Sequence, residues 1–302
     1  MGPTPDGVRP GLSPPLEGVP PRDGSGGPGD RGPAGTCCTA VVTTHIDLAE
    51  LGSVGGFFAL REGLPIVRGT APFAQVYAAA PTPPYPPVGT ARAEPPEGPG
   101  RDPLAFRVDK VGRRLGAPEE RIAVSVAQLG LAARLWSVTL GSAALYGAVP
   151  DLDPALLRWD ADGTSPDDLW LTELRLLPGD PGTIRDVVQH GHLAPLSAAL
   201  RARYRISAGL LWGNAGSALA GAVRELHAWA ARTGRADVGE RALDLAAALF
   251  DHPALRGTGT LEGTAFRRRS CCLYYRCPTG GVCGDCCFER PPQRSSPGAS
   301  SG

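Results

Sequence analysis

Apolar residues recur at spacings of three and four from Ile122 through Val126, Leu129, Ala133 and Trp136 to Leu140. That period places them on one face of a helix. Pro118, Glu119 and Glu120 suit its first turn, because acidic side chains complement the positive end of the helix dipole. The helix is expected to reach about Tyr146. A second stripe, Leu211, Ala215, Ala218, Leu219, Ala222, Leu226 and Trp229, predicts a longer helix over 207–233. Gly213 and Gly216 would weaken it unless another backbone packs close against it. Residues 193–205 read as a further helix. Asp237 with Glu240 three positions on resembles a capping box that opens a last helix ending near Phe250. A short helix is expected over 48–60. The stretch 169–177 is closer to alternation and reads as a strand. Gly257-Thr-Gly-Thr then breaks the helical pattern.

The gaps in this pattern divide the chain. Residues 1–36 are rich in Gly and Pro with almost no large apolar side chains, too few to offset the entropy of ordering. They are expected to form a disordered leader, and 291–302 a disordered tail. Residues 81–103 are proline-rich and read as an extended linker. Between leader and linker lies a small N-terminal subdomain, 37–80. The helical core domain spans 104–266, and a cysteine-rich segment occupies 267–290. The fold class is therefore α+β, mainly helical, with a small N-terminal subdomain and a C-terminal cysteine segment.

Composition narrows the function. The 302 residues are 42% hydrophobic and 20% charged, enough to bury a core, and the formal net charge is zero. A general nucleic-acid binder needs a basic surplus to displace counterions, so no nucleic-acid partner is expected. Lys110 is the one lysine among 30 basic residues, a bias that makes single arginines less informative. The N-terminus lacks the apolar core of a secretory signal. The charge-free stretch 136–149 is too short to span a bilayer, and 206–223 is interrupted by Asn214, serines and glycines; both read as buried helices. A cytoplasmic location follows, and there clustered thiols are more often metal ligands or redox groups than disulfides.

Six of the eight cysteines fall between Cys271 and Cys287. Cys271 and Cys272 are adjacent; ten residues separate Cys272 from Cys283, and two more separate it from Cys286. Pro278, Gly280, Gly281 and Gly284 permit a turn that folds the second pair back on the first. Four converging thiolates can hold a metal or an iron–sulfur cluster. Plant-type ferredoxin spacing does not fit, and a structural zinc site usually brings two C-x2-C pairs where this segment has one. Neighbouring side chains diverge, which makes adjacent cysteines awkward ligands for a single ion.

The pattern C-C-x10-C-x2-C, here SCCLYYRCPTGGVCGDC, resembles the C-terminal signature of the FhuF-type ferric siderophore reductases. LAARLWSVTLGSAALYG, GHLAPLSAALRARYRIS, LLWGNAGSALAGAV and RRRSCCLYYR are similar to family segments and stand in family order. The resemblance covers about 51–290. It implies a 2Fe–2S cluster on Cys271, Cys272, Cys283 and Cys286. It further implies one-electron reduction of ferric iron in a siderophore complex, of hydroxamate type, with release of ferrous iron in the cytoplasm. Cys277 and Cys287 are additions to the family pattern and read as small, partly buried side chains; Cys37 and Cys38 carry no assigned role.

Arg267, Arg268, Arg269 and Arg276 could supply positive charge to such a cluster, and Gly281 and Gly284 could let amides approach sulfur. A solvated surface is the plainer reading of any one arginine. Tyr274 and Tyr275 read as packing residues. His190 and His192 lack a helpful third ligand and read as capping or packing groups. Asp167, Asp168 and Glu173 have no evident acid–base partner. Asn214 reads as satisfied by a neighbouring backbone group. The 257–263 stretch misses the dinucleotide fingerprint. With no flavin or nicotinamide site, electrons are expected from a separate donor protein, and loose association with an inner-membrane importer is compatible with the sequence. Two other readings stay open: a structural zinc or thiol module, and an iron–sulfur carrier or sensor without a siderophore substrate.

Overall fold

The N-terminal helix α1 (Leu48–Val54) starts at Asp47, whose carboxylate accepts the backbone N–H groups of Ala49 and Glu50. A 3-10 turn, Gly56–Phe58, finishes the stretch expected as one helix. A computed structural model describes residues 45–64, 69–78, 102–290 and 292, all within the compact unit Val42–Gly302. The leader 1–36, Cys37, Cys38, most of 81–103 and nearly all of 291–302 lie outside the described residues.

Strands β1 (Arg61–Glu62) and β2 (Ala71–Pro72) and helix α2 (Phe73–Ala78) follow. Helix α3 (Pro103–Leu115) begins on Asp102, which caps Leu104 and Ala105. Pro103, expected in the linker, is instead its first residue, where a missing N–H costs no intrahelical bond. Helix α4 (Glu120–Tyr146) matches the apolar run, with Pro118 and Glu119 outside it. Strands β3 (Ala148–Pro150), β4 (Leu157–Trp159), β5 (Leu169–Leu171) and β6 (Leu176–Pro178) come next. The strand expected over 169–177 is thus two: β5 joins a sheet of order β1-β5-β4-β2, and β6 pairs with β3.

Helix α5 (Pro181–Arg185) passes through a π-helical stretch, Asp186–Leu193, into α6 (Ala194–Arg203). Helix α7 (Ala208–Thr233) is capped by Ser207. Helix α8 (Ala236–Phe250) corrects the capping-box expectation. Arg235 holds the N-cap position without a side-chain cap bond, and Asp237 sits inside the first turn, paired with Arg235 at 3.4 Å. Helix α9 (Pro253–Arg256) leads into a hairpin of β7 (Gly259–Glu262) and β8 (Ala265–Arg268). Gly263, at φ +58°, supplies the left-handed residue its two-residue turn requires.

Helix α4 is the centre of the fold. Ile122, Val124, Leu131, Leu135, Trp136, Val138 and Leu140 are buried around its circumference, because α3, α7, α8 and β3 all pack on it. A helix apolar on all sides is one buried on all sides. Among the described residues it is the one helix long and apolar enough to cross a membrane, and 78% of its most apolar window is buried inside the protein. Arg134, 2% exposed, binds Asp168 at 2.9 Å and donates to the carbonyls of Gly56, Phe57 and Ala59, which ties the N-terminal segment to α4.

Helix α7 carries the site. At Gly213 a Cβ would lie 2.0 Å from Ser270 Oγ, and at Gly216 it would lie 2.4 Å from Thr258 Oγ1. The two glycines therefore admit the segment flanking the hairpin, by side-chain atoms rather than by the backbone approach expected from sequence.

Candidate metal centre

Hairpin strand β8 delivers the chain to the cysteines. The Arg268 N–H donates to the Asp285 carbonyl at 3.0 Å, and Arg269 N–H to the Thr258 carbonyl at 2.8 Å. Leu273 adopts φ +69°, the one non-glycine residue in the left-handed region among the described residues. A 3-10 turn, Tyr274–Arg276, follows; then Gly280 N–H bonds the Cys277 carbonyl and Cys286 N–H the Cys283 carbonyl, each at 3.0 Å. These turns reverse the chain and bring Cys283 Sγ to 3.6 Å from Cys272 Sγ. That is too long for a disulfide, and all six described cysteines are free. It is close to the sulfur–sulfur edge of roughly 3.8 Å implied by a tetrahedral metal with bonds of about 2.3 Å.

Two of the sulfurs receive a backbone N–H from the residue two positions on. Leu273 N–H donates to Cys271 Sγ at 3.2 Å and Phe288 N–H to Cys286 Sγ at 3.4 Å. The backbone at Tyr274 and Asp285 works in the same direction on Cys272 and Cys283, favouring thiolate. N–H donors stabilise thiolate over thiol.

The thiols also perturb one another. Its hydrogen bond with Cys272 holds the Cys271 thiol below the usual range. Cys272 is pushed up by that same bond, and Cys283 is pushed far up by Cys272 and then by burial. Burial raises Cys287, with Cys286 adding to it. Sulfurs this close cannot all ionise without a compensating cation. Among the described residues no three His, Cys, Asp or Glu side chains converge as a preformed single-ion site. The contacts run instead from Cys283 to Cys272 to Cys271, with Cys271 also feeling the charge of Cys287 and Cys286. A dinuclear iron core takes two thiolates for each iron.

Two polar networks bolt the segment to the helices. Ser125 of α4 donates to the Cys272 carbonyl at 2.8 Å; Asn214 of α7 donates to Ser125, and its Oδ1 accepts from Arg268 at 2.6 Å. Asp285, 6% exposed, binds Arg224 of α7 at 2.8 Å and accepts from Ser217. Arg276 pairs with Glu119 at 2.8 Å, and Tyr275 meets Phe288 edge to face. Sequence reasoning missed Ser125, Ser217, Arg224 and Asp285, whose partners lie on other elements.

Of the four arginines considered, Arg268 alone is buried; Arg267 and Arg269 are exposed, and Arg276 is spent on Glu119. Cys277 is fully buried and Cys287 partly so. Gly281 and Gly284 are not forced by close packing, since a Cβ at either would meet no atom within 4 Å. Gly280 is the constrained one: its Cβ would fall 1.9 Å from the Tyr274 carbonyl oxygen.

The remaining candidates are structural. Asp167 pairs with Arg61, Asp168 with Arg134, and Glu173 with Arg175 at 3.4 Å, so each has the partner the sequence did not reveal. His190 is exposed beside Asp186. His192 is buried between Tyr77 Oη at 2.7 Å and the Leu152 carbonyl at 2.5 Å, and burial lowers its pKa to about 4. The two histidines therefore do not act as a pair. The 257–263 stretch enters a hairpin rather than opening a helix.

Residues 112–259 match the family described as ferric iron reductase FhuF-like transporter, and residues 268–288 match the FhuF 2Fe-2S C-terminal domain. The second match spans all six described thiols; the resemblance seen from residue 51 onward is matched only from residue 112. No curated protein matches the chain. The cofactor of this segment is a 2Fe–2S cluster, and the thiol donors, the 3.6 Å sulfur pair and the N–H groups aimed at sulfur fit it.

Proposed function

The chain belongs to the FhuF-type ferric iron reductase family and carries its 2Fe–2S domain, and on that premise we propose that it reduces ferric iron held in siderophore complexes, one electron at a time. Cys271, Cys272, Cys283 and Cys286 are the cluster ligands in this reading. The observation that carries it is the 3.6 Å approach of Cys272 and Cys283, together with the N–H donors on Cys271 and Cys286. The bound cluster supplies a one-electron reservoir. The chain supplies the rest: thiolates to hold it, backbone N–H groups to stabilise sulfur charge, and a fixed frame in α4 and α7. Segment 267–290 is the cluster segment and 104–266 its helical frame.

Siderophores grip ferric iron through hard oxygen donors; ferrous iron is less charged and is held far more weakly. A single electron therefore frees the metal, and no covalent bond of the chelator need break. An external chelate must come within reach, and the site lies at an edge. Cys271, Cys283, Cys286 and Cys287 are part-exposed, and Val282 (42% exposed) and Phe288 (36%) offer an apolar rim beside them. The chelate is of hydroxamate type, and the electron arrives from a separate donor protein in the cytoplasm, beside an inner-membrane importer.

Anaerobic purification followed by electron paramagnetic resonance before and after reduction tests the cluster. A paramagnetic signal should appear on adding one electron. The reduced protein is then mixed with a ferric hydroxamate and a ferrous trap. Loss of the paramagnetic signal and return of the oxidised visible absorption, with formation of the trapped complex, is expected. A colourless protein holding one zinc, or a reduced protein that keeps its electron, would overturn the proposal.

A further inference from the structure

Arg268 is 2% exposed, yet its Nε and Nη1 have no hydrogen-bond partner. Nη2 donates to Asn214 Oδ1 at 2.6 Å. Among the described residues it forms no ion pair. Asp285, whose carbonyl accepts the Arg268 N–H, directs its carboxylate to Arg224 and Ser217. A buried, uncompensated guanidinium is among the costliest arrangements a protein interior can hold. Such a group is retained where an anion belongs beside it.

The anion is at hand. Arg268 precedes the Cys271–Cys272 doublet by three residues, and the chain Arg268–Asn214–Ser125 ends on the Cys272 carbonyl. The Arg268 backbone N–H is bonded to the Asp285 carbonyl, between Cys283 and Cys286, so the buried guanidinium stands on the segment that joins both thiol pairs. A 2Fe–2S core on four thiolates is net negative when oxidised and gains one further negative charge on reduction.

We infer that Arg268 is the buried counter-charge of the cluster: a positioning residue, fixed by Asn214, that favours the reduced form and helps retain the core. This rests on the cysteine ligation proposed above. Arg267 and Arg269, one residue to either side, point outward and lack this role. Positive charge near a cluster stabilises the more negative oxidation state and raises the potential. Removing it lowers the potential, while the protein without iron is relieved of an unpaired cation.

The test compares the full chain with Arg268→Met, which keeps length and loses charge, with Arg268→Lys, and with Arg267→Met as the exposed control. Each is titrated against redox dyes and followed by visible absorption and paramagnetic resonance. At the potential that half-reduces the wild type, Arg268→Met should show a ratio of reduced to oxidised cluster about ten-fold lower, equivalent to ~59 mV. Arg268→Lys should recover part of the loss, and Arg267→Met should change the ratio less than two-fold. The iron-free forms are melted in parallel: apo Arg268→Met should unfold at or above the wild-type temperature. A variant that loads no cluster but keeps that apo stability supports the counter-charge role. Unchanged reduction in a loaded Arg268→Met, or an apo form that unfolds well below wild type, overturns it. If the wild type itself shows no 2Fe–2S signal, the ligation reading fails instead.

Discussion

Gly280→Ala is the sharpest single probe of the turn that joins the two thiol pairs. A Cβ there would sit 1.9 Å from the Tyr274 carbonyl oxygen and 3.1 Å from Cys277 Cβ. The first obstacle is backbone, so no rotamer change relieves it. Gly280 does not lie in the left-handed region, so the effect is steric rather than conformational. Reaching ordinary contact requires a shift of about 1 Å or more, whereas a metal-binding constellation tolerates only about 0.5 Å. Overpacking costs about 1–3 kcal/mol, and loss of the Gly280 N–H bond to Cys277 adds about 1 kcal/mol. Gly281→Ala is the internal control: a Cβ there meets nothing within 4 Å, and the expected change is within about 0.5 kcal/mol. Both variants are purified anaerobically, assayed for iron and acid-labile sulfide per chain, and unfolded in urea. Gly280→Ala should lose most of its iron, and its midpoint should fall; Gly281→Ala should match wild type in both. Full iron content with an unchanged midpoint in Gly280→Ala would show that the Tyr274 carbonyl does not cover this glycine, and the proposed closure of the loop would fall with it.

Cys286→Ser should abolish or grossly alter the 2Fe–2S absorption while Cys287→Ser preserves it, because the Phe288 N–H is aimed at Cys286; the opposite outcome exchanges the fourth ligand. His192 makes stability depend on acid. Its folded pKa of about 4 lies below the unfolded value near 6.5, so its contribution is complete above that value and is lost as pH falls toward 4. Between pH 7 and pH 5 the wild type should lose about 2 kcal/mol through this group, read from urea midpoints. His192→Gln should show a pH dependence smaller by about that amount, and equal slopes for the two proteins would refute the assignment.

The long elements were legible because their apolar period persists. The boundaries of α4 and α7 fall within about two residues of the reading, and the segment of densest thiols is the one that gathers the site. The sheets were not, because strands of two to four residues are too short to display alternation. The π-helical stretch before α6 was not foreseen, because the helix was expected to begin only at residue 193. In the fold the Ala194 N–H reaches back to the Gln189 carbonyl, and this widened turn stands just ahead of Pro195, whose ring would otherwise crowd the preceding turn. Asp237 and Glu240 satisfied the spacing of a capping box, but the N-cap lies two residues earlier, at Arg235, and Asp237 spends its carboxylate on Arg235 and Arg241. Arg268 was lost in a run of three arginines. Once β8 is known, the strand period puts it on the same face as buried Phe266, with Arg267 on the other. The needed signal was two-fold alternation over four residues, too brief to trust without its partner strand.

The two ends of the cysteine loop are fastened separately, one to α4 and α7 together and the other to α7. The Cys272 end hangs from Ser125, Asn214 and Arg268; the Cys283–Cys286 end hangs from Asp285 through Arg224 and Ser217. Asn214, Ser217 and Arg224 belong to α7 and Ser125 to α4, so both thiol pairs are referred to two helices packed on each other as well as to the loop that connects them. Gly213 and Gly216 on the same helix let Ser270 and Thr258 close onto it. This division of labour suits a 2Fe–2S site, where the protein's task is to hold charge in fixed geometry. Elsewhere too, single charged or imidazole groups are fixed by a partner, a helix start or burial: Asp168 on Arg134, Asp102 at the start of α3, His192 within the core. The fold's polar investment is concentrated where a charged group must sit still, and the buried guanidinium of Arg268 marks the side from which that charge is balanced.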